Sequence, residues 1–109
     1  MAGGVERGEV RLCRSPPPDK ARPVLVLTRT AAIRYLTRVT VAPITSTVRG
    51  VPSEIALGVE DGMKQECAVN LHHLVTVPKE AIGPVVARLG DERMRQVCGA
   101  IGFALGCGV

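Results

Sequence analysis

Ala21-Arg-Pro-Val-Leu-Val-Leu27 and, further on, Thr40-Val-Ala-Pro-Ile-Thr-Ser-Thr47 decide how this chain is read. Each is an apolar, β-branched run of the kind that forms a buried strand. Each also carries polar groups at a strand end. Arg22 stands at the start of the first run, and Thr45, Ser46 and Thr47 follow the second. A cation and several hydroxyls held on rigid strand ends suit the gripping and polarising of a phosphate.

The rest of the composition narrows the possibilities. At 109 residues the chain is read as one domain, 1–109, with a small core that an oligomer would help to cover. Trp is absent and only Tyr35 and Phe103 are aromatic, so the core must be Val, Ile, Leu and Ala. The same scarcity argues against RNA-binding modules that stack bases on rings. Net charge is +4, unevenly spread: residues 1–50 hold nine basic and three acidic side chains, residues 51–109 five basic and seven acidic. A basic first half favours a polyanionic partner, nucleic acid first and an acidic protein segment second.

The start of the chain is not apolar, so no secretory leader is expected, nor is there an apolar run near the ~20 residues that cross a membrane. A soluble, cytoplasmic protein is the expectation. Cys13, Cys67, Cys98 and Cys107 form no C-x-x-C pair, so neither zinc nor another cofactor is expected and the thiols are read as apolar fillers. A Cys67–His72 catalytic pair is the less favoured reading.

Along the chain, residues 1–6 read as a flexible tail and 7–13 as an alternating strand. Pro16-Pro17-Pro18 breaks that strand, since proline donates no ladder hydrogen bond. Residues 22–29 read as a central strand, apolar on both faces, and 30–34 as a connection. Further strands are expected at 35–44, 54–57, 66–76 (one strand with a bulge) and 85–89, with an acidic turn at Gly58–Gly62 and a helical turn at 78–81. Asp91 can cap a last helix over 91–105, whose stripe is Met94, Val97, Cys98, Ile101 and Leu105. Gly99, Gly102 and Gly106 weaken that helix by roughly 1 kcal/mol each and make sense where another backbone comes close; the alternative is fraying after Ile101. The fold class is mainly β with a C-terminal helix (α+β): a small SH3-like barrel over 7–89 closed by the helix.

Five short motifs in order carry a resemblance: Arg7-Gly-Glu-Val10, Ala21-Arg-Pro-Val-Leu-Val26, Val41-Ala-Pro-Ile-Thr-Ser46, Gly50-Val-Pro-Ser-Glu-Ile55 and the stretch Asn70 to Pro78. From about residue 6 to residue 105 the chain resembles the MazF/PemK family of toxin endoribonucleases. The resemblance implies a homodimer with an SH3-like barrel that cuts single-stranded RNA without a metal and is restrained by a cognate antitoxin. It implies that Arg22 is the catalytic arginine, with Thr45 and neighbouring Ser46 as its hydroxyl partners. It places His73 among polar groups lining the RNA groove. Relatives carry a longer first loop with a glutamate; here Ser15-Pro-Pro-Pro-Asp-Lys-Ala21 replaces it, and Asp19 is the nearest counterpart.

The implied chemistry uses the RNA's own 2′-hydroxyl as nucleophile. The protein must align it, stabilise charge on the phosphate and move two protons. Arg22 suits the charge, because a guanidinium stays cationic and grips two oxygens. For proton transfer Asp19, His72 and His73 all remain open. Adjacent histidines in a strand point to opposite faces, so one at most faces the groove. Lys20 and Arg49, in loops beside the site, are the candidates for following the RNA backbone, ahead of Arg29. Two other classes stay in view: a gyrase poison of the CcdB type, against which the missing Trp counts, and a non-catalytic RNA- or antitoxin-binding module.

Overall fold

The strand Arg22–Val26 (β2) organises the molecule, as its two-sided apolar sequence predicts. In this computed structural model, which describes residues 4–14 and 20–107, Leu25 and Leu27 face one apolar cluster, while Val24 and Val26 face another. Around β2 run β1 (Glu9–Cys13), a short helix α1 (Thr30–Ile33), β3 (Arg38–Thr45), β4 (Glu54–Leu57), β5 (Cys67–Asn70), β6 (Val75–Pro78), β7 (Ile82–Arg88) and the long helix α2 (Asp91–Leu105). Single 3-10 turns occupy Val59–Asp61 and Lys79–Ala81. The tri-proline stretch and Asp19 lie outside the described residues.

All strand pairs are antiparallel. The path is β4-β5-β3-β2-β1-β7, with β6 also on β3, and its two ends do not pair. The architecture is therefore the expected one, mainly β with a C-terminal helix, but the sheet is open and "barrel" describes it loosely. β3 changes partner along its length: Arg38–Val41 pair with β6, Val41–Pro43 with β2 and Ile44–Thr45 with β5.

Several expected elements differ. β2 ends at Val26 and not at 29, the connection at 30–34 holds α1, and β3 begins at Arg38 and not at 35. The strand read over 66–76 is divided. β5 and β6 run in line along one edge of β3, but three residues more than the register needs loop out between them, at the Leu71–Leu74 turn. His72 and His73 sit in that turn, so strand alternation does not govern which way they face. The last strand starts earlier than expected, at Ile82, because β7 bulges against β1. Gly83 permits the bulge: a Cβ there would stand 2.9 Å from the Leu12 carbonyl oxygen.

The larger cluster, with Val10, Leu25, Leu57, Val69, Leu71 and Val97 at its centre, lies under α2. The second, with Val24, Val26, Ile33, Val39 and Val41, lies under α1. Val5 packs against this second cluster and the Gly4 carbonyl accepts a hydrogen bond from Arg11, so residues 4–6, read from sequence as tail, are held to the sheet. α2 buries Val97 and Ala100, with Met94 and Ile101 packed at the margin, whereas Cys98 is exposed and Leu105 is 60 % exposed. The stripe is thus narrower than the sequence suggests. Asp91 is not the cap: Gly90 holds that position without a side-chain bond, and Asp91 and Glu92 instead lie in the first turn, where the helix dipole favours acids. The helix runs on past Ile101 and closes at Gly106 (φ 72°), with Cys107 N–H donating to the Gly102 carbonyl and Gly106 N–H to that of Phe103.

Candidate active site

A cleft of about 1030 Å³ opens where the ends of β1, β2 and β3 meet the loop before β5. Its floor is valine-rich, including Val24, Val41 and Val77. Its polar wall consists of Arg14, Arg22, Thr45, Ser46, Lys64 and Gln65. Among the described residues no carboxylate lines it, so the cleft is cationic.

Arg22 opens β2, backbone-paired with Cys13. Pro23 follows it, which keeps the backbone of Arg22 extended. Its side chain is exposed and forms no hydrogen bond or ion pair among the described residues. Thr45 closes β3, half-buried and paired with Ala68. The register that sets Val24 against Pro43 and Val26 against Val41, carried two residues outward, sets Arg22 against Thr45. Opposed residues of an antiparallel pair share a face. The Thr45 Oγ1 accepts the N–H of Thr47 at 3.1 Å, which fixes the turn and leaves the hydroxyl proton to donate elsewhere. Ser46 is exposed beside it.

The other residues singled out from the sequence stand elsewhere. Lys20, Arg49 and His73 are exposed and do not line the cleft; Asp19 is outside the described residues. The loop of Arg49 is held by Glu54, whose Oε1 accepts the N–H of Arg49 at 2.8 Å and of Gly50 at 2.9 Å. The ring of His72 is engaged by Ser53, Oγ to Nδ1 at 2.6 Å, and not by Cys67. Burial pushes the Cys13 thiol up despite the nearby Arg14 charge. Burial, together with the negative charge of Asp61, does the same to Cys67. Both shifts run against the thiolate that a Cys67–His72 catalytic pair would need. Among the described residues no group of three or more His, Cys, Asp or Glu side chains converges as metal ligands would.

Three cleft residues were not singled out from sequence. Arg14 directly follows Cys13, the partner of Arg22, so the β1–β2 pairing brings it in; its Nη2 donates to the Glu80 carbonyl at 2.7 Å. Lys64 and Gln65 come from a loop with no local motif.

The profile of the PemK-like, MazF-like toxins of type II toxin–antitoxin systems matches residues 6–105. The chain belongs to this family. It is 41 % identical over 102 residues to the probable endoribonuclease MazF5 of Mycobacterium tuberculosis, covering 93 % of each chain. It is 41 % identical over 86 residues to that organism's endoribonuclease MazF3, covering 79 % of this chain and 84 % of that one. Among solved structures, the M. tuberculosis toxin MazF-mt6 superposes with a TM-score of 0.84 at 35 % identity, over 93 % of this chain and 99 % of that one. An endoribonuclease in complex with its cognate antitoxin from a mycobacterial species also gives 0.84, at 26 % identity, over 96 % of this chain and 98 % of that one. In this PemK/MazF chain the cleft takes residues from both apolar stretches, 21–27 and 40–47. Among the described residues, no helix is long and apolar enough to cross a membrane.

Proposed function

We propose that this chain is the toxin of a type II toxin–antitoxin pair, an endoribonuclease that cuts single-stranded RNA at a short preferred sequence without a metal ion. One observation carries the reading: a guanidinium and two hydroxyls, Arg22, Thr45 and Ser46, wall one cationic cleft. The names of the relatives support the same reaction class.

In the proposed reaction the 2′-oxygen of the RNA attacks the adjacent phosphorus and the bond to the 5′-oxygen of the next nucleotide breaks. The 2′-hydroxyl proton leaves to a base, and the departing 5′-oxygen takes up a proton. The products are a 2′,3′-cyclic phosphate and a 5′-hydroxyl. Arg22 and the hydroxyls of Thr45 and Ser46 donate to the non-bridging oxygens as their charge grows. The antitoxin, an acidic segment in this reading, competes for the same cations. The protein acts as a cytoplasmic homodimer, a second copy covering apolar surface such as Phe103 and Leu105, each about 60 % exposed in the single chain (61 % and 60 %).

The gyrase-poison alternative draws no support from the family match. The deciding experiment incubates purified protein with single-stranded RNA in EDTA and types the fragment ends. Cyclic phosphates with 5′-hydroxyls are expected at full rate. RNA that is bound but left uncut would favour the non-catalytic module, and cleavage abolished by EDTA would overturn the metal-free mechanism.

A further inference from the structure

Between the buried side chains of Met63 and Cys67 the chain exposes three residues, Lys64, Gln65 and Glu66. The loop is fixed at its base. Gly62 takes a left-handed φ of 90°, and the N–H groups of Gly62 and Met63 donate to the carbonyls of Val59 (2.9 Å) and Gly58 (3.3 Å). Just upstream, Asp61 is gripped by Arg93 of α2 through two bonds, at 2.9 and 3.1 Å. Of the three exposed residues, Lys64 and Gln65 wall the cleft and Glu66 does not. Neither Lys64 nor Gln65 has a hydrogen-bond partner among the described residues.

The phosphate-gripping groups act on a unit that every nucleotide shares, so they cannot select a sequence. Selection needs a group that reads a base edge. Arginine and lysine only donate, so they read an edge of paired acceptors alone, and Arg14 already spends a donor on the Glu80 carbonyl; a carboxamide presents a donor and an acceptor side by side. Gln65 is the single carboxamide in the cleft wall among the described residues, and neither Tyr35 nor Phe103 lines the cleft to offer a ring for stacking. The unstacked bases of single-stranded RNA expose the edges such a group reads.

We infer that Gln65 is a specificity-determining residue, reading by paired hydrogen bonds the edge of one base next to the scissile phosphate, with Lys64 contacting a flanking phosphate. This rests on the endoribonuclease reading above. The test is cleavage of single-stranded RNA randomised around the cut, with fragments sequenced for wild type, Gln65→Ala, Gln65→Glu and Lys64→Ala. Gln65→Ala should flatten the preference at one position by roughly tenfold to a hundredfold, with unchanged fragment ends. Gln65→Glu, now acceptor-only, should change the preferred base at that same position. Lys64→Ala should keep the preference, cut more slowly everywhere and show a shallower salt dependence. If wild type cuts and both Gln65 variants keep its site preferences, the inference is overturned while the nuclease reading stands. A wild-type protein that cuts no RNA sinks both.

Discussion

Arg22 and Thr45 lie at the ends of neighbouring strands, each two residues beyond the pair Val24–Pro43, and both wall the same cleft. A cation and a hydroxyl-bearing β-branched side chain are thereby fixed on two adjacent backbones, so little entropy is spent in bringing them to one phosphate.

Removing either group should cost rate and not fold. Arg22→Ala and Thr45→Val are each expected to lower single-turnover cleavage roughly 100- to 1,000-fold, the usual loss for one preorganised donor. Arg22 is exposed and without a partner among the described residues, so its removal should shift stability by no more than about 0.5 kcal/mol. Arg22→Lys should recover only part of the rate, because an ammonium cannot grip two oxygens in a planar fork. A variant that melts early yet cleaves normally would reverse the assignment.

The legible part of the site is the part built on strands. Local sequence announces Arg22 and Thr45, because Pro23 and the apolar runs fix where each strand begins and ends. Arg14 was within reach too, since it follows the residue that pairs with Arg22. Lys64 and Gln65 were not, because a three-residue loop acquires its place only from its anchors, Met63 and Cys67, in a core assembled from distant strands. The turn holding His72 and His73 escaped for a related reason: Leu71 and Leu74 keep the apolar pattern running while β3 accepts pairing only on either side of it. The α2 stripe misled at Cys98 and Leu105, since periodicity marks a face but not how much of it the sheet covers. Only Val97 and Ala100 are buried.

Asp61 links helix to loop, and its ionisation should be visible in stability. The Arg93 hydrogen bonds are the largest influence on it and, with the Gly58 N–H, outweigh burial to hold its carboxyl below the ordinary 3.8. A group with a depressed folded pKa contributes stability above its unfolded value and loses it as pH falls through the folded one. Asp61→Asn should therefore melt below wild type at neutral pH, and the gap should close as pH drops below about 3.8. Melting temperature followed from pH 7 to pH 2 in both proteins tests this. A gap of constant size would point to lost packing in place of lost charge.

Glu9 and Arg11 form a buried ion pair, Nη1 to Oε1 at 2.5 Å, with side chains only 3 % and 5 % exposed. Burial alone would raise the Glu9 pKa; the Glu6 N–H, Arg11 and Arg88 together hold it below its ordinary value. Glu9→Ala removes the carboxylate that Arg11 and Arg88 share and should cost about 3 kcal/mol in urea unfolding. Glu9→Leu combined with Arg11→Met, which removes both charges, should recover much of that loss. A double variant no more stable than Glu9→Ala would show that the pair is needed for more than mutual neutralisation.

Two glycine-to-alanine changes should act in opposite directions. Gly62 holds a φ of 90°, and an added Cβ would approach that of Ala87 to 3.2 Å. Gly62→Ala should therefore destabilise the chain by about 1–2 kcal/mol, the cost of a left-handed backbone for an L-residue. Because Gly62 sets the base of the loop that, after Met63, carries Lys64 and Gln65, the same change should also slow RNA cleavage at sub-saturating substrate. Gly99 lies mid-helix on α2, with nothing within 4 Å of its would-be Cβ. Gly99→Ala should stabilise the isolated chain by about 0.5–1 kcal/mol through helix propensity alone. Size measurement beside the melting curves separates the contributions. A Gly99→Ala protein that dissociates into single chains would mean that a second copy approaches the helix at Gly99, whereas a higher melting point at unchanged size would leave this glycine with no close neighbour.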